Sequence, residues 1–438
     1  MKLFDQIFKE LSGYEAVRQC LEKNISPVSV TGLSHIHRAH LIESLNGDKI
    51  NLVITGSEAE AKRLCDDINM MGGGDSAVLF PSKEQVFTPI DSYNHEYEHM
   101  RISALARAAV NKCRVICASV EAVMQPVIPV ETLISAAIEI EEGGIIDRDK
   151  LCAELAACGY QRCEKVEGAS QFSVRGSIID IFPVQADKPV RIELWDDEVE
   201  TIAEFETDTQ RRSDEHMARL EISPATEIIC DGAELADKLE ALLKKVRGKR
   251  MELVRERLGA DVKRLRAEEI LPHAMKYYSL VYPETSTVFD YIDGAVIFSD
   301  FSDVMDSANG VTARFNEDAK LLIEEGQLCK GLDDLVLELP RIRMIAEKKN
   351  CLYLSNFVQG GEHIDFQRMI SFEAMQTAAW GGEMKQLLED LNDYISRDYA
   401  VILCAGSEKT LPVIKQDLEE NGVPCEIINE NSRLVHGK

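Results

Sequence analysis

The sequence predicts an α/β chain in which a parallel-sheet domain is split by an inserted β-rich domain and followed by a small α/β domain. Three observations carry that prediction. Between residues 28 and 124 the β-rich runs VSV, INLVITG, SAVLF and RVICASV alternate with helical patterns, the signature of parallel strands joined by crossover helices. From about Pro126 the texture turns to strands and turns. At 438 residues the chain is also too long for one core and should divide into two to four domains.

The first helical patterns lie near residues 34–45, 57–71 and 97–112. The second opens with Ser57 and Glu60, a capping box that would close two otherwise orphan N–H groups. In the insertion, GSIIDIFP, VRIELWDD and EVETIAEFE read as strands. Ile192 and Leu194 alternate with Arg191, Glu193 and Trp195, as in a sheet with one covered face. Residues 232–268 form long helical patterns, and AVIFSD then returns to strand character in a position to complete the first sheet. After roughly residue 320 a small α/β unit is expected: NCLYLSNF, a helix over 384–396, a strand YAVILCAG, a helix ending near Asn421 and Gly422, and a strand PCEIIN. The expected domains are therefore 1–125 with 206–320, an insertion over 126–205, and 321–438.

Composition narrows the function classes. Asp and Glu outnumber Lys and Arg by 76 to 49, a formal charge of -27, which disfavours tight binding of a polyanion by the chain as a whole and favours protein partners. No run of eighteen apolar residues occurs and MKLFDQIFKE has no signal-peptide core, so a cytosolic protein is expected. The twelve cysteines are scattered. Cys113 with Cys117 and Cys158 with Cys163 lack the Cys-x-x-Cys spacing of a zinc or redox site, so they read as buried, reduced thiols.

The segment VSVTGLSHIHRAHL, residues 28–41, has the strand-turn-helix form of a phosphate-binding loop without its chemistry. Such a loop needs glycines for close backbone approach, a lysine for the terminal phosphates and a hydroxyl for magnesium. Here Gly32 remains, but Ser29 and Ser34 stand at glycine positions, His35 at the lysine and Ile36 at the hydroxyl. In AVIFSDFSDV, where a nucleotide-hydrolysing sheet would end a strand in Asp-Glu, Asp300 is followed by Phe301. Two damaged motifs on one expected sheet predict a scaffold that no longer uses ATP, with no cofactor.

Three further clusters invite a functional reading. HEYEH, residues 95–99, fits a zinc-peptidase pattern with His95 and His99 as ligands and Glu96 as base. Its approach, IDSYN, is polar and no third ligand is evident, so a surface helix start is expected and no metal. His35, His37 and His40, with Glu43 extending the His37 and His40 face, read as a solvated helix face. Between Lys238 and Arg266 there are eleven Lys or Arg against four carboxylates, either a phosphate-contacting stripe or a long exposed helix whose cations pair with Glu240, Glu252 and Glu256. The absence of interleaved aromatics favours the second.

Several segments together resemble the N-terminal region of the bacterial transcription-repair coupling factor, Mfd. GYQRCEKVEGASQFSVRGSIIDIFPV and VRIELWDDEVETIAEFETDTQR, from Gly159 to Arg211, carry the resemblance most specifically, supported by NLVITGSEAEAKRL and LFPSKEQVFTPIDSYNHEYEHMRISAL. Ser170 departs, standing where the family has glycine. The resemblance implies a RecA-like, P-loop-NTPase-like domain split as in the excision-repair subunit UvrB. The damage-probing insertion of UvrB is absent, since the chain runs from Ser92 straight into a helix at about Glu98. It implies a non-catalytic module that binds UvrA through Arg162, Arg175 and Phe182 and so recruits repair proteins to stalled RNA polymerase. Polymerase and DNA would be engaged only through C-terminal motor domains outside this chain, one of which could mask the docking face, and no membrane partner is implied. The contrasting readings are an active ATP-dependent helicase subunit of UvrB type and, more distantly, the zinc peptidase.

Overall fold

The computed structural model describes residues 12–45, 47–72, 74–83, 95–267, 269, 271, 274–333, 336–356, 364–374, 383–403, 405 and 407–428. Helix α1 (Ser12–Glu22) leads into strand β1 (Val28–Thr31), α2 (His35–Ser44), β2 (Asn51–Thr55), α3 (Glu58–Gly72), β3 (Ala77–Phe80), α4 (Glu96–Ala109) and β4 (Val115–Ser119). The chain then enters a second unit with β5 (Ile138–Glu141), α5 (Arg148–Ala157), β6 (Gln161–Arg162), β7 (Gln171–Arg175), β8 (Ile178–Ile181), β9 (Val190–Trp195), β10 (Glu198–Phe205), β11 (Arg212–His216) and β12 (Arg219–Ile222). It returns through α6 (Gly232–Lys245), α7 (Met251–Arg266), β13 (Val296–Ser299), α8 (Phe301–Glu324), α9 (Leu339–Ala346), β14 (Cys351–Ser355) and β15 (Arg368–Ser371), and ends with α10 (Met384–Ser396) and α11 (Leu411–Glu420).

The first sheet has the order β15-β1-β14-β13-β2-β4-β3, and every pairing in it is parallel. Its inner strands are buried on both faces because helices cover both, whereas the edge strand β15 is mostly exposed. Along β2, Leu52 and Ile54 enter one core with Phe298 and residues of α4, α6, α7 and α8, while Val53 enters the other with α2 and α3. The period of two along a strand thus sorts one short run into two cores.

The second unit holds a six-stranded sheet of order β11-β10-β9-β8-β7-β6 and a two-stranded β12-β5 pair. Ile192 and Leu194 are buried in its core with Phe172, Ile179 and Leu155 of α5, and Trp195 is exposed, as the alternation predicts.

Two boundaries differ from the sequence expectation. Strands β11 and β12 pair inside the inserted unit, so it runs to Ile222 rather than ending at 205. Strands β14 and β15, expected in a separate unit from residue 321, flank β1 in the first sheet. A separate small core remains only further on, where Leu387 and Leu391 of α10 meet Leu418 of α11 and Val423. The expected strands at YAVILCAG and PCEIIN form no ladder among their described residues. Without a paired neighbour an apolar run cannot satisfy its N–H and C=O groups as a strand.

The Ser57 box is half formed: its hydroxyl accepts from the Glu60 N–H at 3.3 Å, while the Glu60 carboxylate accepts from the Ser299 hydroxyl at 2.9 Å. No helix of the described residues is long and apolar enough to cross a membrane. The expected direct run from Ser92 into α4 falls partly on residues outside the described set.

Candidate functional site

At the C-terminal edge of the first sheet, the loop after β1 is occupied by the protein itself. Ser29 lies within β1, buried, rather than in the turn. Gly32 has φ +79, and a Cβ there would fall on the Phe372 carbonyl oxygen. Its N–H donates to the Asn356 carbonyl at 3.2 Å, and its own carbonyl accepts from the Ala374 N–H at 3.3 Å. Backbone groups that would face phosphate in a working loop are therefore bonded to the segments after β14 and β15. The Ser34 hydroxyl lies 2.7 Å from His37 Nδ1 and makes no capping bond to α2.

Arg38, one turn into α2, fills the space behind that loop. Its side chain is 2% exposed and reaches across the end of β14 to Asp300, the residue after β13. The guanidinium donates to Asp300 Oδ2 at 2.5 Å and Oδ1 at 3.0 Å, to the Ser299 hydroxyl at 2.9 Å and to Asn356 Oδ1 at 3.0 Å. This bidentate fork is the geometry in which Arg–carboxylate pairs are strongest. Asp300 holds a left-handed φ of +49 at the start of α8. His35 sits 3.3 Å from Asp67, and burial together with Arg63 pushes its imidazole below the ordinary histidine range. Ile36 is exposed. The histidines do not lie on a solvated face: His40 is buried, and α2 packs most of its length into the core. Arg38 escaped the sequence reading, although an arginine in register with Ile42 on an apolar helix face signals a buried partner.

HEYEH forms the start of α4, with His95 and Glu96 exposed. The residue that turns inward is Glu98. It meets Lys83 at 3.5 Å and accepts from the Thr226 hydroxyl and the Glu227 N–H, each at 3.1 Å. One turn on, Arg101 donates to Glu227 at 2.7 Å with both side chains fully buried, and Lys83 meets Glu227 at 3.1 Å. Burial alone would raise the Glu98 pKa, but Lys83, His95 and the Glu227 N–H outweigh it and hold the carboxyl well below the usual range. Burial pushes His99 down to about 4, with Glu98 opposing.

On the inserted sheet, Phe172 and Val174 of β7 face the core, and Ser173 and Arg175 lie on the opposite face beside Asp180 and Arg191. Asp180 is fully buried between two arginines: Arg175 Nη2 donates to it at 2.5 Å, and Arg191 donates through Nε at 2.6 Å and Nη2 at 2.9 Å. Arg191 also lies 4.7 Å over the Phe205 ring. Half-exposed Arg175 thus already has a partner within its own sheet. Arg162 is exposed on the short edge strand β6, and Phe182 follows β8, its N–H donating to the Gln171 carbonyl. Arg162 and Phe182 fall at one end of β7 and Arg175 at the other, roughly 13 Å away at 3.3 Å per residue. Ser170, at the expected glycine, takes φ +62 and keeps the turn, donating its N–H to the Phe182 carbonyl at 2.9 Å. The carboxylate in the middle of IIDIF was the sequence signal for the Asp180 cluster, which the reading by motif passed over.

A parallel α/β domain is interrupted by this mostly antiparallel sheet, and residues 138–228, which include that sheet, match the family model of the UvrB interaction domain. Over nearly its whole length the chain is similar to transcription-repair-coupling factors. It is 26% identical over 443 residues to that of Bacillus subtilis (strain 168), covering 98% of this chain and 37% of the relative. It is 24% identical over 422 residues to that of Staphylococcus haemolyticus (strain JCSC1435), covering 94% and 36%. The chain is related to the N-terminal, UvrB-like region of that family. It spans little more than a third of the length of these relatives.

Proposed function

We propose that this chain is a non-catalytic recruiting module for nucleotide excision repair coupled to transcription, which presents its inserted domain to UvrA. The observation that carries the reading is the match of residues 138–228 to the UvrB interaction domain, on the unit that holds Arg162, Arg175 and Phe182. Arginine and phenylalanine suit such a contact as charged fork and apolar anchor. In this reading the functional units are the first sheet with its helices, the insertion ending near Ile222, and the small α10–α11 unit. The nucleotide site is silent, supported by the Arg38–Asp300 pair and the covered Gly32 turn.

The test is capture of purified UvrA by the 438-residue chain, with an ATP titration run beside it. Arg175→Gln is the informative variant, because Arg191 keeps both its bonds to buried Asp180 and the sheet should remain folded. Arg175→Glu would place a carboxylate against Asp180 and confound docking with folding. Capture should weaken by about 2 kcal/mol or more in Arg175→Gln, Arg162→Gln and Phe182→Ala. Wild-type affinity in a folded triple variant removes this site. Micromolar ATP binding would instead favour the UvrB-type ATP-dependent subunit.

A further inference from the structure

Lys244, Lys245, Arg247, Lys249 and Arg250 fall within seven residues where α6 ends and α7 begins, and all five are exposed. Elsewhere on this helix pair several cations are engaged by carboxylates: Lys238 by Glu234 at 2.8 Å, Arg264 by Glu269 at 3.8 Å, and Arg266 by Asp237 and Glu240. At the tip only Arg247 has side-chain partners among the described residues, the carbonyls of Lys244 and Val246. Glu252 and Glu256, expected to neutralise the stripe, form no ion pair among the described residues, whereas Glu240 does so with Arg266. Residues 244–257 therefore carry seven cations against two carboxylates.

Arg247 has an ordinary role as a helix C-cap, and Lys244 and Lys245 complement the α6 dipole. Neither role accounts for Lys249 and Arg250 at the start of α7, where the dipole disfavours cations. The chain's -27 does not cancel this patch for a ligand in contact with it, because exposed charges more than about 8 Å away are largely screened at 0.15 M salt. The type of ligand follows from what the tip lacks. No large apolar side chain is exposed between residues 238 and 266, so a protein partner would find no anchor and a single strand no stacking platform. Duplex phosphates need neither. Packed helices stand about 8–10 Å apart, so cations on two helix ends are commensurate with phosphates across a groove about 6 to 12 Å wide.

We propose that the α6–α7 tip is a sequence-nonspecific contact for the phosphate backbone of duplex nucleic acid. It is separate from the inserted sheet and does not rest on the UvrA reading. The experiment is a fluorescence-anisotropy titration of the whole chain against a short labelled DNA duplex over a range of salt. With about four phosphates contacted, affinity should fall on the order of 100-fold between roughly 50 and 200 mM salt. The combined Lys244→Gln, Lys245→Gln, Lys249→Gln and Arg250→Gln variant should melt like wild type, lose that slope and bind at least tenfold more weakly at the lowest salt. A control with Lys112, Lys385, Arg397 and Lys415 changed to Gln, all of them ion-paired, should bind like wild type. A wild-type slope near zero overturns the proposal, as does an unchanged tip variant or an equally weakened control. Polyglutamate competing as well as duplex per unit charge would overturn it in favour of an acidic protein partner, and tighter binding of a single strand would overturn the duplex assignment.

Discussion

Arg101 and Glu227, 126 positions apart in sequence, meet at 2.7 Å with both side chains fully buried. The same guanidinium donates to the Pro81 carbonyl at 2.9 Å, Gln125 Oε1 at 3.1 Å and the Pro126 carbonyl at 3.3 Å. Gln125 and Pro126 lie where the chain leaves the first sheet for the insertion, and Glu227 lies where it returns. One side chain therefore holds both crossings, and its face stacks 4.2 Å over Phe80.

Arg101→Met leaves buried Glu227 with Lys83 as its remaining cation and takes the donor from the Pro81, Gln125 and Pro126 oxygens, so it should cost about 3 kcal/mol. Arg101→Lys should recover only part, because an ammonium cannot span four acceptors set in a fork. Urea melts of the three proteins measure this. A loss under about 1 kcal/mol for Arg101→Met would mean that Lys83 or entering water satisfies Glu227 without the arginine fork.

The acidic side of the stability profile should have two steps. Folded His99 titrates at about 4, below its unfolded value of about 6.5. Its contribution is therefore complete above about pH 6.5 and is lost as pH falls toward 4. Glu98, held below its unfolded value of about 4.3, adds a second loss beneath that pH. Melting temperature followed downward from neutral pH should show His99→Gln flattening the upper part of the slope. Glu98→Gln should lower stability at neutral pH and weaken the lower part. Parallel curves for wild type and both variants would count against these assignments.

The architecture was legible because its signals are local: β-rich runs alternating with helical periods, and the VRIELW alternation that buries Ile192 and Leu194. The sites were less legible because their geometry depends on distant partners. Gly32 could be picked out, but not that Phe372 and Asn356, more than 300 residues on, would cover it. Strands β14 and β15 were read as a new unit because sequence order does not reveal that they flank β1. HEYEH drew attention to its histidines, while the residue that does most in the fold is Glu98 between them, facing partners from residues 83 and 227.

Ser170 supplies a prediction about the turn that connects Gln161, Gln171 and Phe182. A left-handed residue with a side chain carries a strain of roughly 1 kcal/mol, which glycine would relieve while loosening the unfolded chain by a comparable amount. Ser170→Gly should therefore change stability by less than about 1 kcal/mol. Ser170→Val, β-branched at the same φ, should destabilise by more than 1 kcal/mol. Equal stabilities for the two variants would show that the turn can relax out of the left-handed region.

Arg38 makes the last prediction, that lysine at position 35 will not by itself restore nucleotide binding. The loop lacks more than a cation: the Gly32 N–H is committed to Asn356, and Asp300, the one acidic residue at the end of β13, is neutralised by the Arg38 fork. His35→Lys should leave calorimetric ATP titrations flat. Arg38→Met should cost about 3 kcal/mol or more, since Asp300 loses its bidentate partner beside Ser299 and Glu60. Adding Asp300→Asn to Arg38→Met should recover part of that loss, because the stranded charge is gone. If His35→Lys alone bound ATP at micromolar concentration, the Arg38 and Phe372 contacts would have to yield to phosphate, and the silent-site reading would fall with them.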